Sequence, residues 1–153
     1  MTSLIVDLVT LVITFGGILI AIMEYKRQGR AKCLEVAITL RDQFRNLYEA
    51  TDLIEMLESD DQKLRNIPTQ LRAQIIAHLE VVEFALRQKS IDEEVAFNFF
   101  GYYAIYIRDS KNFCHDLAID GSIYWSVFVE FVDRMVKIQN SQIKKQSSII
   151  GTT

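Results

Sequence analysis

Phe113-Cys114-His115-Asp116 sets a thiol, an imidazole and a carboxylate side by side, the three parts of a cysteine-type catalytic triad. Such a triad needs its nucleophile, base and orienting acid in one hydrogen-bonded line. Consecutive residues on a helix point about 100° apart, so this run cannot form that line by itself. Cys114 is therefore expected to pack as a small hydrophobe, and His115 to sit near a helix end where its charge suits the helix dipole. A hydrolase built on Cys114 and His115 ranks last among the functions weighed.

Metal and cofactor chemistry finds no better support. His78 and His115 are the two histidines, and neither has a partner at the spacing that puts two metal ligands on one helix face. His78 and Glu80 lie two apart and do not face each other on a helix. Cys33 and Cys114 are too few for a disulfide framework, and a reducing compartment suits them. There is no glycine-rich phosphate loop and no G-x-S-x-G. The expectation is no catalytic residue, no metal and no cofactor.

Two basic sets carry the remaining chemistry. Lys26, Arg27, Arg30 and Lys32 form a cluster suited to anionic lipid headgroups. Arg41 and Arg45 lie one turn apart; multiplied around an oligomer axis they make a candidate site for a phosphorylated ligand. The plainer alternative is Arg45 paired with Glu49 in solvent. The net charge of −3 gives no overall basic field, so double-stranded nucleic acid is not an expected partner.

The elements that would position these residues begin with an anchor. In the 153-residue chain half of the residues are hydrophobic, but unevenly so: Leu4 to Met23 holds one charge, Asp7. About 20 apolar residues span a bilayer core of roughly 30 Å. No basic residue precedes the run and no small-residue cleavage site follows it, so it reads as a retained transmembrane helix, not a signal peptide. The basic cluster on its C-terminal side puts that side in the cytoplasm, with the N-terminus outside the inner membrane. Asp7, Thr10, Thr14, Gly17 and Ala21, continued by Glu24 and Gln28, fall at alternating three- and four-residue spacing on one stripe. Gly17 and Ala21 let helices approach closely. This predicts self-association of the anchor along the stripe, hence a homo-oligomer in the lipid bilayer; the plainer alternative is a single helix that tolerates its threonines.

After the anchor, one proline and six glycines leave few helix breakers, which predicts helices throughout. Four are expected: Lys32 to about Leu57, joined without a break to the anchor or not; Pro68 to Gln88; Ile91 to Leu117, started by a Ser90–Glu93 capping box; and Ile123 to Gln139. The third is ringed by aromatics, expected to be core or an interface between copies. The organisation is then an anchor and basic segment (1–31), a helical cytoplasmic domain (32–139) and a flexible tail (140–153).

Glu83 before Phe84-Ala85, the turn Ile91-Asp92-Glu93-Glu94 and the aromatic Tyr124-Trp125…Phe128 carry a resemblance over residues 30–136. The chain resembles a family of small bacterial membrane proteins with one N-terminal anchor and a cytoplasmic helical domain of unknown function. The resemblance implies no enzymatic activity. It singles out Glu83, expected to be buried and paired with Arg108 or a helix terminus, because a lone buried carboxylate is costly. The fold class expected is all-α, one transmembrane helix followed by a cytoplasmic four-helix domain. The function expected is a non-enzymatic, membrane-anchored interaction or sensing module that self-associates. The alternative is a ligand-gated membrane effector of a bacterial defence system responding to a cyclic oligonucleotide.

Overall fold

The computed structural model describes the backbone of residues 2–47, 53–119 and 121–150, and the side chains of residues 21–47, 53–119 and 121–147. Within these residues the protein is all-α, without a strand. Among the described residues no helix is long and apolar enough to cross a membrane. Most of the apolar run lies at residues 1–20, outside the described side chains.

Helix α1 runs from Thr2 to Leu47 without interruption. It carries no proline, the residue that most often breaks or kinks a helix. Its last third enters the core through Ala37, Leu40 and Phe44, which repeat at three and four and are buried. Of the helix expected from Lys32 to Leu57, the described residues give α1 to Leu47 and α2 at Leu53–Glu58; residues 48–52 lie outside them. A short 3₁₀ turn, Gln62–Asn66, leads to α3, Thr69–Arg87. Pro68 stands just before α3, where its missing N–H is no loss.

Helix α3 is the central element. Ile75, Ile76, Leu79 and Val82 are fully buried along it. It lies antiparallel to α1: the His78 ring bonds the Leu40 carbonyl at 2.9 Å, and the Cys33 thiol points at the Lys89 carbonyl at 3.9 Å. α3 closes with Lys89 at φ 55°, Ser90 N donating to Ala85 O and Lys89 N to Leu86 O. Both bonds together make a Schellman ending with a lysine in the left-handed position.

That ending overturns the Ser90–Glu93 capping box. The Ser90 amide is already committed to Ala85, so it cannot receive Glu93. Asp92 is the residue before the helix, and Glu93 turns its carboxylate toward α6 instead.

The third expected helix is a composite. α4, Glu93–Ala96, passes into a π-helical turn at Phe97–Gly101 and then into α5, Tyr102–Asp109. A Cβ at Gly101 would stand 2.7 Å from the Phe97 ring, so glycine is what lets that buried ring lie over the helix. Phe97 and Phe100 belong to the core, whereas Tyr102 is half exposed and stacks on Tyr106. The helix ends at Asp109, eight residues short of the expected end.

Beyond Asp109 the chain is held by two polar clamps. Arg72, 1 % exposed, spends its guanidinium on neutral oxygens: Ile67 O at 3.1 Å, Phe113 O at 2.5 Å, His115 O at 2.6 Å and Thr69 Oγ1 at 3.1 Å. The Phe113 and His115 carbonyls lie beyond the last turn of α5, and Arg72 holds the loop that carries them against the start of α3. Asp60, at φ 46° in the ending of α2, accepts from Ser110 Oγ at 2.5 Å and from Asn112 N at 3.1 Å. Burial alone would raise the Asp60 pKa, but these hydrogen bonds outweigh it and hold the carboxyl below its ordinary value.

The chain then turns through Gly121, at φ 74°, and Ser122 caps a 3₁₀ turn, Ile123–Trp125. α6 follows, Ser126–Ile150. Glu80 of α3 accepts from Phe128 N at 3.3 Å, satisfying an orphan donor in the first turn of α6. Burial raises the Glu80 pKa, opposed by that bond. Phe128, Phe131, Val132 and Met135 seat α6 in the core. The segment expected as a flexible tail after Gln139 is helical up to Ile150.

His78 makes the α1–α3 contact sensitive to pH. To donate to Leu40 O, its Nε2 must carry the proton of the neutral ring, which packs 5.6 Å from Phe44. Burial lowers its pKa from the ordinary 6.5, only partly offset by the bond to Leu40. Below that value the unfolded chain therefore binds a proton that the folded chain resists, and stability falls with pH. The Asp60 contribution is lost only below about pH 4. We expect thermal melts to show stability declining as pH drops from 7.5 to 5.5, and the His78→Gln variant, which keeps a donor, to lose that part of the decline.

Candidate functional site

The strongest concentration of charge is assembled by α3, α4 and α6. Glu83 faces the core from α3, between Val82 and Leu86, and is fully buried. Its Oε1 accepts from Arg134 Nη2 at 2.9 Å and from Arg87 Nε at 3.1 Å, and its Oε2 from Arg134 Nε at 3.2 Å. Arg134 extends its remaining edge to Glu93 Oε1 at 2.8 Å, and Arg87 reaches Glu130. The fork of Arg134 thus holds one buried and one exposed carboxylate. Glu83, then Glu93, holds the Arg134 guanidinium above its ordinary pKa.

Arg108 does not take part. It is partly exposed and pairs with Asp109 at 3.2 Å and Asp133 at 3.3 Å. The expected Glu83–Arg108 pair is replaced because α6 packs against both α3 and α5. Its adjacent Asp133 and Arg134 point to different neighbours and intercept the two charges. The cluster floors an open groove of about 930 Å³ walled by Glu93 and Glu94 on one side and by α6 from Glu130 to Lys145 on the other. Each charged group of the Glu83 cluster is committed to another, so the arrangement locks three helices and offers no poised acid or base.

The other sequence candidates lie apart. Lys26, Arg27, Arg30 and Lys32 are exposed around α1, with Arg27 Nε 3.9 Å from Glu24. Arg41 and Arg45 are also exposed; the Arg41 guanidinium lies over the Phe99 ring, 5.0 Å from its centroid. Glu49, the expected partner of Arg45, lies outside the described residues. So do the side chains of Asp7, Thr10, Thr14 and Gly17, whereas Ala21 is exposed.

Cys114, His115 and Asp116 do not converge. The Cys114 thiol donates to Ile107 O at 3.0 Å, His115 Nδ1 meets Asp116 Oδ2 at 2.7 Å, and the His115 carbonyl serves Arg72. His115 lies in the loop after α5, not at a helix end. Among the described residues no three His, Cys, Asp or Glu side chains are grouped to hold a metal ion.

Sequence reasoning passed over Arg72, Asp60 and Arg134. Arg72 had a legible signal: it falls three and seven residues before Ile75 and Leu79, on the apolar face of its helix. Asp60 and Arg134 had none, because each is fixed by partners about fifty residues away.

Removing the charge of Glu83 leaves Arg134 without its buried counter-ion. Because Arg134 and Arg87 are part exposed, solvent screens some of the loss. We expect Glu83→Gln to lower unfolding stability by about 2–3 kcal/mol in denaturant titration, and Arg108→Gln to change it by less than about 1 kcal/mol.

Comparison with protein-family models finds no match, and comparisons with curated proteins and with solved structures find none either.

Proposed function

We propose that this chain is a membrane-anchored, non-enzymatic interaction module that self-associates in the inner membrane, with its N-terminus outside and its helical domain in the cytoplasm. One observation carries the reading. α1 is a single helix that bears the apolar run at one end and supplies core residues Ala37, Leu40 and Phe44 at the other. Between them stands the exposed basic cluster Lys26–Lys32, with Tyr25 80 % exposed at the expected interface. A polar and small-residue stripe on the apolar run supplies a contact face for a second copy. The non-enzymatic part is supported by the mutual pairing of the Glu83 cluster and by the inward-turned Cys114 thiol.

A second reading, a ligand-gated effector of bacterial defence answering a cyclic oligonucleotide, is favoured by Arg41. Its guanidinium rests on Phe99 while still facing solvent, on the helix that continues into the apolar run. Under this reading a cyclic oligonucleotide raises the melting temperature of the full chain, and Arg41→Glu with Arg45→Glu abolishes the shift.

The anchored reading expects the full chain to stay with membranes in alkaline carbonate, and protease added outside intact spheroplasts to leave the domain uncut. Single cysteines at Thr14 or Gly17 should crosslink several-fold faster than cysteines at Ile13 or Ile18. Release by carbonate rules out the anchor; equal crosslinking rules out the stripe.

A further inference from the structure

The C-terminal half of α6 carries a charge that the body of the protein does not. From Arg134 onward the sequence has four basic side chains, Arg134, Lys137, Lys144 and Lys145, and no acidic one. Residues 33–133 hold nine basic and eighteen acidic side chains. This segregation is not that of a uniformly solvated surface.

The helix also leaves the body in a defined place. The buried face of α6 ends at Met135, and Ser141, Ile143, Lys144 and Ser147 are exposed, Ile143 by 53 %. Arg134 Nη1 bonds Glu93 at 2.8 Å, so α6 departs beside the turn that joins α3 to α4. The groove lined by Glu93, Glu94 and α6 as far as Lys145 follows the same end of the fold. α1 departs there too, since Cys33 touches the Lys89 carbonyl of that turn. At about 1.5 Å per residue, α1 climbs about 15 Å from Cys33 to Met23, and α6 travels about 15 Å from Arg134 to Lys144.

The geometry points to the C-terminal half of α6 as a second membrane contact, binding the anionic phospholipid headgroups that surround the anchor. Lys137, Lys144 and Lys145 supply the attraction to lipid phosphate, and Ile143 the apolar contact at the headgroup boundary. The acidic body is repelled from the same surface, so the two basic segments face it. This inference rests on the anchored reading of the chain.

The test uses the full chain in vesicles, with Gln146→Cys carrying an environment-sensitive fluorophore and Cys33 and Cys114 replaced by Ser. In vesicles with about 30 % phosphatidylglycerol we expect a blue shift and about threefold less iodide quenching than in pure phosphatidylcholine. Lys144→Glu with Lys145→Glu, or about 0.5 M salt, should remove both effects.

Trypsin cleavage after Lys144 and Lys145 in the unsubstituted chain, referred to cleavage after Lys63, gives the same comparison without substitutions. Equal quenching and equal cleavage in the two lipids overturn the inference, as does a response that survives charge reversal. Carbonate extraction, run in parallel, reports on the anchor alone. A chain that carbonate releases but that still responds to phosphatidylglycerol removes the anchor and keeps the surface contact.

Discussion

A guanidinium sealed from water must find an oxygen for its N–H groups or the fold around it fails. Arg72 meets that demand without a carboxylate, drawing Ile67, Phe113 and His115 carbonyls and the Thr69 hydroxyl onto one side chain. Much of the domain follows from this. The carbonyls it captures hold the loop before α6 and tie that loop to the start of α3. Asp60 holds the opposite edge of the loop through Ser110 and Asn112. A segment without regular structure is thereby fixed in place, and α6 can pack against α3 and α5 together.

The second polar assembly works differently. Around Glu83 the charges are formal and opposed, and every carboxylate is matched by an arginine fork. Such a cluster gains little over a well-packed apolar substitute, but its shared partners must all come together for the buried Glu83 charge to be matched. It therefore specifies which helices meet more than it strengthens their meeting. The two assemblies divide the work: Arg72 shapes a loop, and Glu83 sets the order of α3, α4 and α6.

The legible part of the sequence was the part governed by local rules. The period of Ala37, Leu40 and Phe44 and the Pro68 start of α3 each depend on residues within a few positions, and the all-helical class followed from the scarcity of breakers. The loop after α5 was illegible because what holds it is an arginine about forty positions upstream. The π-helical turn at Phe97–Gly101 hangs on one ring lying over one glycine. The burial of Glu83 was foreseen from its neighbours, yet its partner was not, since Arg108 and Arg134 look alike until α6 is placed. The capping box failed because a competing motif took the same amide first.

Helix α1 has 46 residues and is about 69 Å long, and among its described side chains those buried in the core lie in its last third. It is a lever with a short arm and a long one. A tilt of about 5° pivoting at Leu40 carries the far end sideways by about 5 Å. Small adjustments where Phe44 meets His78 and Phe100 are thereby magnified at the far end of the helix.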